Sequence, residues 1–188
     1  ALLTQLESAL GRRLLVTTDH EGGRIIMLGT GVTIFPDNLA VGTAGEVAFA
    51  KRQGLIEGRE LRRLGVDVSF GPVLDVLTER YSPNIGIRSY GKDPELVARL
   101  GAARIRGMQS RGLSACAKHF PGHGDTVVDS HHGLPRVDVA YDVLQERELA
   151  PFRAAVAAGV EAVMTSHIVV SALDPHRPAT FSRSVIGV

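Results

Sequence analysis

Helix-ending signals followed by short apolar runs recur along this chain at a nearly regular interval. The runs begin near residues 14, 66, 113 and 161, so their starts are separated by 52, 47 and 48 residues. Each interval is long enough for a helix, and a helix is the usual connection between two parallel strands. The alternation therefore predicts an α/β fold with parallel strands and right-handed crossovers, either a doubly wound sheet or a (β/α)8 barrel.

Several residues indicate where the helices between these strands begin and break. Thr43 with Glu46 three residues later matches a capping box, which predicts the start of a long helix. Asp93 before Pro94 predicts another helix start, with the aspartate as N-cap and the proline in the first turn. In the fourth helix, Pro151 is expected to cause a split or a kink, because it removes a backbone hydrogen bond.

Polar residues follow each of the four predicted strands. They are Asp19-His20-Glu21, Asp75, Lys118-His119 and Ser166-His167. A barrel gathers the carboxyl ends of its strands at one mouth, whereas a doubly wound sheet places its site at one switch point. The sequence therefore favours a (β/α)8 barrel of the TIM-barrel type. A full barrel needs about 250 residues, so 188 residues with four recognisable strands are expected to form an incomplete one.

Composition excludes several classes of partner. The 21 basic residues are balanced by 20 acidic residues, so there is no charge excess to attract a nucleic acid or an anionic membrane. We expect no membrane span, because no apolar run approaches the roughly 18 residues that a spanning helix needs. The single cysteine, Cys116, excludes an internal disulfide and a thiolate metal cluster, and it permits a reducing compartment.

The segment 118–132 carries the densest chemistry in the chain. It contains four of the seven histidines together with two aspartates and a lysine. Pro121, Gly122 and Gly124 are incompatible with a continuing strand or a new helix, so the segment is predicted to be an irregular loop after a strand. Catalytic and binding residues concentrate in such loops.

Three interpretations of this loop remain open from the residues alone. The side chains could bind a metal through His119, His123, Asp129 and His131. Alternatively, Asp129 could orient and charge His131 so that the imidazole exchanges protons. The third interpretation is a set of solvated or capping loop residues. A metal is not expected, because Lys118 is a poor neighbour for a dication and no helical ligand pair is present.

Two other segments are candidates for binding a ligand. The turn at 19–24, D-H-E-G-G-R, places carboxylates beside an arginine, and such groups hydrogen-bond hydroxyls well. The alternative is a charged turn with a local pair between Arg24 and either Asp19 or Glu21. Arg88 is equally ambiguous, because an arginine before a helix is commonly a surface residue.

Five segments together are similar to those of a known family. They are D-H-E-G-G-R at 19–24, F-G-P-V-L-D-V at 70–76, I-R-S-Y at 87–90, K-H-F-P-G-H-G-D-T-V-V-D-S-H at 118–131 and M-T-S-H-I at 164–168. In this order they closely resemble the N-terminal barrel domain of glycoside hydrolase family 3, in its β-N-acetylglucosaminidase branch of the NagZ type. The D-S-H ending separates this branch from the β-glucosidases of the family.

The resemblance implies a function and a role for individual residues. It implies a retaining hydrolase that removes terminal β-linked N-acetylglucosamine from cell-wall or chitin-derived oligosaccharides, in the cytoplasm or exported, without metal or organic cofactor. Residues at four positions match those that bind the hydroxyls of the terminal sugar: Asp19, Arg88, Lys118 and His119. His131 matches the acid/base and Asp129 its partner. The implied partner is therefore a carbohydrate.

The chain also departs from the family pattern. Met27 stands where many relatives carry a further sugar-binding arginine. The family's nucleophilic aspartate lies shortly after the counterpart of residues 183–188, so residues 1–188 are expected to be a partial barrel domain, about strands two to five of eight, without the first and the C-terminal strands. Rival functions are a non-catalytic carbohydrate-binding or structural fragment, a β-glucosidase-like enzyme and a metal-dependent hydrolase.

Overall fold

Helices and strands alternate along the computed structural model, which describes residues 2–187. The α-helices are α1 (Leu2–Leu10), α2 (Asn38–Ala44), α3 (Val47–Arg63), α4 (Pro94–Gln109), α5 (Tyr141–Val143), α6 (Ala150–Ala157) and α7 (Arg183–Ile186). The strands are β1 (Thr17–Thr18), β2 (His20–Gly22), β3 (Ile25–Ile26), β4 (Val68–Ser69), β5 (Ser114–Phe120), β6 (Arg136–Val137), β7 (Ala162–Thr165) and β8 (Val169–Val170). Short 3₁₀ turns span Gly86–Arg88 and Ala179–Phe181, and a π-helical turn spans Leu144–Glu148.

The central sheet consists of the four strands that the sequence predicts. Its order is β1-β4-β5-β7, and every neighbouring pair is parallel. Strands that follow one another in the chain are therefore adjacent in space, and no switch point interrupts the described sheet. This is the order of a (β/α)8 barrel rather than of a doubly wound sheet. The prediction of a partial barrel with parallel strands is confirmed.

The helix boundaries confirm the predicted N-cap at Asp93 and the predicted break at Pro151, and they correct the capping box at Thr43. The Asp93 carboxylate accepts a first-turn backbone N–H of α4 at 3.0 Å. Pro151 lies in the first turn of α6, directly after the π-helical turn that interrupts the predicted helix. The capping box at Thr43 is wrong, because the Thr43 hydroxyl donates to the carbonyl of Leu39 at 2.8 Å within α2. A separate helix, α3, begins at Val47.

The core lies between the sheet and the helices that cover it. Strand β5 begins with four small residues, 114–117, and is buried over most of its length, as a central parallel strand is expected to be. On α4, Val97, Leu100 and Ile105 are fully buried and belong to the same apolar cluster as Ala115 and Ala117 of β5. Within residues 2–187, no helix combines the length and the apolar character that crossing a bilayer requires.

Candidate active site

The carboxyl ends of the central strands open into one cleft of about 540 Å³. Its polar lining includes Asp19, Glu21, Arg24, Asn84, Arg88, Lys118, His119, His123, Ser130, His131, Ser166 and His167. Each of the four central strands or the segment after it contributes to this list, as expected for the mouth of a barrel. The cleft brings together side chains that lie more than one hundred residues apart in the chain.

A buried lysine organises the floor of the cleft. Lys118 extends from β5 and is only 1% exposed, and its Nζ lies 2.7 Å from Asp19 Oδ1 and 2.6 Å from Glu21 Oε1. Arg88 completes the group, because its Nε and one terminal nitrogen donate to the two oxygens of Glu21 at 2.8 and 2.7 Å. Such a bidentate pair fixes the plane of the guanidinium.

These contacts exclude the alternatives of an exposed Arg88 and of a local pair between Glu21 and Arg24. The side chain of Arg88 is 11% exposed, so it is not a surface arginine. The local pair with Arg24 is also wrong, because Glu21 binds Arg88 and Lys118 instead. Glu21 itself was missed as a functional residue. The only available signal was a second carboxylate two positions after Asp19 on the same turn.

The carboxyl of Glu21 is ionised near neutral pH. Burial alone would raise the pKa of the Glu21 carboxyl, but hydrogen bonds from Arg88 and the charge of Lys118 outweigh it and lower that pKa to about 2. Asp19 shares Lys118 with Glu21, yet its side chain is 46% exposed. The group therefore presents an accessible carboxylate, an ammonium and a guanidinium, which is a suitable set for binding sugar hydroxyls.

A second buried carboxylate holds the histidine at the end of β5. Asp75 is fully buried, and it accepts from His119 Nδ1 at 2.7 Å and from the backbone N–H of His123 at 2.7 Å. Burial would raise the pKa of Asp75, but the charge and hydrogen bond of His119 outweigh that effect, and the net pKa is lowered. This contact occupies Nδ1, so Nε2 is the nitrogen of His119 that can contact a ligand.

The irregular loop that follows β5 packs closely on the preceding loop. A Cβ at Gly124 would stand 1.8 Å from the carbonyl oxygen of Val76, so only glycine allows this approach. Next to it, His123 is buried, with Nδ1 2.8 Å from the hydroxyl of Thr126 and Nε2 3.4 Å from the side-chain nitrogen of Asn84. The prediction of an irregular loop is confirmed, and His123 is a buried residue rather than a solvated one.

Farther along the loop, Asp129 and His131 form a pair. His131 Nδ1 lies 2.7 Å from Asp129 Oδ1, and the same oxygen accepts the backbone N–H of His131 at 2.9 Å. These two hydrogen bonds lower the pKa of the Asp129 carboxyl. The His131 side chain is 74% exposed and lines the cleft. The carboxylate orients the ring and leaves Nε2 free, which is the arrangement that proton exchange requires.

The metal interpretation receives no support from this arrangement. No group of three or more histidine, cysteine, aspartate or glutamate side chains within residues 2–187 is placed to hold a metal ion. Both ring nitrogens of His123 have protein partners, so this residue has no nitrogen available for a metal. Met27 lines the same cleft and is 62% exposed.

The sequence matches one family model over nearly its whole length. Residues 2–188 match the model described as the glycosyl hydrolase family 3 N terminal domain. Among curated proteins, the chain is 39% identical over 186 residues to a β-hexosaminidase of Tolumonas auensis. That match covers 97% of this chain and 55% of the relative.

Solved structures show the same similarity. A family 3 β-N-acetylglucosaminidase from Paenibacillus sp. superimposes with a TM-score of 0.92 at 48% identity, covering 96% of this chain and 35% of that one. NagZ from Neisseria gonorrhoeae in complex with N-trifluoroacetyl-D-glucosamine gives 0.86 at 39% identity, covering 97% of this chain and 56% of that one. The same protein has also been solved with zinc ion, with 37% identity, a TM-score of 0.82 and coverage of 91% and 52%. The chain spans between about a third and just over half of the length of these relatives.

Proposed function

The chain belongs to glycosyl hydrolase family 3, and we propose that it supplies the sugar-binding and acid/base residues of a retaining β-N-acetylhexosaminidase. The proposed substrates are cell-wall or chitin-derived oligosaccharides that end in β-linked N-acetylglucosamine. One observation carries the proposal: an Asp129–His131 pair with an exposed imidazole borders a cleft whose floor is the buried Lys118 paired with the partly exposed Asp19. The names of the relatives, and the N-acylated glucosamine bound to one of them, support the choice of sugar.

Sugar binding is assigned to four residues on the floor and wall of the cleft. Asp19 accepts hydrogen bonds from sugar hydroxyls through its exposed carboxylate, while Lys118 donates to them. Arg88, held in one plane by Glu21, is assigned as a further donor. His119 adds a contact through Nε2, since Asp75 holds its other nitrogen. All four groups are positioned before the sugar arrives, which lowers the entropic cost of binding.

The two chemical steps need a group that first gives and then takes a proton. In the first step, His131 donates the proton on Nε2 to the leaving oxygen as the nucleophile attacks the anomeric carbon. In the second step, the same nitrogen removes a proton from the water that releases the sugar. Asp129 stabilises the imidazolium of each protonated state and keeps the ring turned toward the reacting oxygen.

The nucleophile is proposed to come from outside residues 1–188. The carboxylates that line the described cleft are Asp19 and Glu21, and Lys118 binds both of them. Neither is suited to attack a carbon atom, because each would have to give up its ion pair to do so. The relatives are longer than this chain, so a full-length protein has further residues to supply the nucleophilic aspartate.

Mutation of His131 in the full-length protein tests this assignment. His131→Ala should lower kcat far more on a disaccharide than in the glycosylation step of a nitrophenyl glycoside, because a nitrophenolate hardly needs protonation. Azide, a nucleophile that needs no base, should partly rescue the second step. His132→Ala is the matched control, since it removes the adjacent exposed histidine and should leave both activities near those of the parent. Equal losses on both substrates without azide rescue would remove His131 from the acid/base role.

Three rival functions predict different results in simple measurements. A non-catalytic carbohydrate-binding or structural fragment would show at most sugar binding, with no hydrolysis of any N-acetylglucosaminide by the full-length protein. A β-glucosidase-like enzyme would prefer nitrophenyl glucoside over nitrophenyl N-acetylglucosaminide. A metal-dependent hydrolase would contain stoichiometric metal by elemental analysis and would lose its activity to a chelator, whereas acid, base and nucleophile need no ion.

The proposed compartment is the cytoplasm, where such an enzyme would process imported wall fragments. The free thiol of Cys116, which is buried, is compatible with a reducing environment. Immunoblotting of fractionated cells is the direct test, and recovery of the protein mainly outside the cytoplasmic fraction would overturn the assignment.

A further inference from the structure

Asn84 touches both sides of the proposed active site, although none of the roles above uses it. Its backbone carbonyl and its side-chain oxygen accept from the same Arg88 nitrogen at 2.8 and 3.1 Å. Its side-chain nitrogen lies 3.2 Å from the hydroxyl oxygen of Ser130. Ser130 stands between Asp129 and His131 in the sequence, so one amide connects a sugar-binding arginine to the loop of the acid/base.

The direction of these hydrogen bonds follows from the chemistry of the groups. Arginine can only donate, so the Asn84 atom that faces Arg88 must be the oxygen. The amide nitrogen is thereby turned toward Ser130, where it donates to the hydroxyl oxygen. Arg88 itself is fixed by its two hydrogen bonds to Glu21. The orientation of the Asn84 amide is therefore set by the floor of the cleft rather than by the loop.

The loop has few other attachments. Val127 is 72% exposed and Val128 is 41% exposed, so the segment 127–133 is not held by burial of its apolar side chains. The other hydrogen bonds of this segment run between its own residues, from positions 131, 132 and 133 to Asp129. Among the hydrogen bonds found within residues 2–187, the Asn84–Ser130 bond is the one that connects 127–133 to the rest of the protein.

We propose that Asn84 is a positioning residue that holds the His131 loop against the cleft through Ser130. This Asn84–Ser130 latch rests on the proposed function, since the position of His131 matters for activity only if His131 exchanges protons with the substrate. The latch increases the fraction of time during which His131 lies within reach of the leaving oxygen. Because Asn84 also binds Arg88, this fraction depends on the position of Arg88. Its loss lowers the rate of proton-dependent chemistry, while sugar binding on the floor of the cleft is maintained.

Ser130→Ala in the full-length protein is the primary test, because it removes the latch without changing the contact between Asn84 and Arg88. A single hydrogen bond of this kind should change kcat on a disaccharide about threefold to tenfold. KM should change little. The rate of the glycosylation step with a nitrophenyl glycoside should fall less than the rate of disaccharide hydrolysis. Ser130→Thr is the matched control, because it keeps the hydroxyl and should keep most of the parent rate.

A double-mutant cycle separates the latch from other effects of each residue. Asn84→Ala should raise KM as well as lower kcat, because it also releases Arg88. If the latch exists, adding Ser130→Ala to Asn84→Ala should cause little further loss of kcat. Multiplicative losses, an unaffected Ser130→Ala, or equal losses in Ser130→Ala and Ser130→Thr would each overturn the proposal.

Hydrogen exchange tests the latch without reference to activity. The amides of His131 and His132 donate to Asp129, and they should exchange faster in Ser130→Ala than in the parent or in Ser130→Thr. Unchanged exchange would show that the bond does not restrain the loop. Failure of the proposed function is distinct from this result, because the parent itself would then hydrolyse no N-acetylglucosaminide, whatever the exchange rates.

Discussion

Glu21 is the residue whose replacement tests the electrostatics of the cleft most directly. It is 3% exposed, and both of its oxygens are bound by Arg88 while one also contacts Lys118. Glu21→Gln keeps the shape of the side chain but removes the ion-pair partner of Arg88 and leaves Lys118 paired with Asp19 alone. Breaking a buried pair in this way is strongly destabilising, because the remaining charge stays out of water without compensation.

The magnitude of the effect follows from the pKa of the carboxyl. A fall of that pKa from the usual 4.5 to about 2 corresponds to about 3 kcal/mol of stability at pH 7. Because the pKa of the folded state is the lower one, this stability is present above pH 4.5 and is lost as the pH falls toward 2. At pH 3, less than half of it, about 1.4 kcal/mol, should remain.

Urea denaturation of the full-length parent and of Glu21→Gln at several pH values measures this contribution. The difference in the free energy of unfolding should be about 3 kcal/mol at pH 7 and should shrink steadily toward pH 3. Glu95→Gln is the control, since the Glu95 side chain is 86% exposed and lies 3.9 Å from Arg99, and its effect should stay small at every pH. A Glu21 difference that does not change between pH 7 and pH 3 would refute the linkage argument.

Two further predictions concern carboxylates with contrasting environments. Asp19→Ala should raise KM markedly, because it weakens binding of the ground state and of the transition state together, and steady-state kinetics on a nitrophenyl N-acetylglucosaminide measures the split between KM and kcat. Glu148 is buried beside Arg147, and burial outweighs that charge and raises the pKa of Glu148 to about 7. Because this folded-state pKa is the higher one, Glu148 costs stability as the pH rises from 4.5 through 7, so Glu148→Gln should stabilise the protein at pH 8 in urea denaturation but not at pH 4.

The order of helices and strands could be predicted because local signals specify it. The Asp93 N-cap and the proline at 151 act within one turn of their own position, and both predictions are confirmed. The error at Thr43 also has a local cause, since the side chain of a threonine can instead donate to the carbonyl four residues earlier within a helix. Strand lengths were harder to predict, because β1 and β4 pair with each other over only two residues before the chain leaves the sheet.

The candidate site could be predicted only as a set of positions. Parallel strands bring their carboxyl ends together, so the residues after each strand were expected to meet, and the cleft confirms this. The ion-pair partners could not be predicted from the sequence, because Glu21 and Arg88 are 67 residues apart and Lys118 and Asp19 are 99 residues apart. No rule of sequence spacing predicts such pairs, because the partners become neighbours only when the sheet forms.

The buried residues that hold the backbone of the site in place could not be predicted either, for the same reason. Arg104 lies in the middle of α4 and is fully buried, which no local pattern in the sequence indicated. One of its nitrogens donates to the backbone carbonyl of Glu21 at 2.7 Å, and another donates to the side chain of Asn38 at 2.8 Å. Asn38 in turn donates to the backbone carbonyl of Arg88 at 2.7 Å.

A single buried guanidinium thus holds the backbone on both sides of the Glu21–Arg88 pair. Its own charge is balanced by Glu57, whose oxygens accept from Arg104 at 2.9 and 2.7 Å. The geometry of the residues proposed to bind the sugar therefore depends on an ion pair between α3 and α4, outside the cleft. Because buried ion pairs are costly to break and provide modest net stability, this one is better explained by the orientation it imposes on the cleft than by the stability it adds.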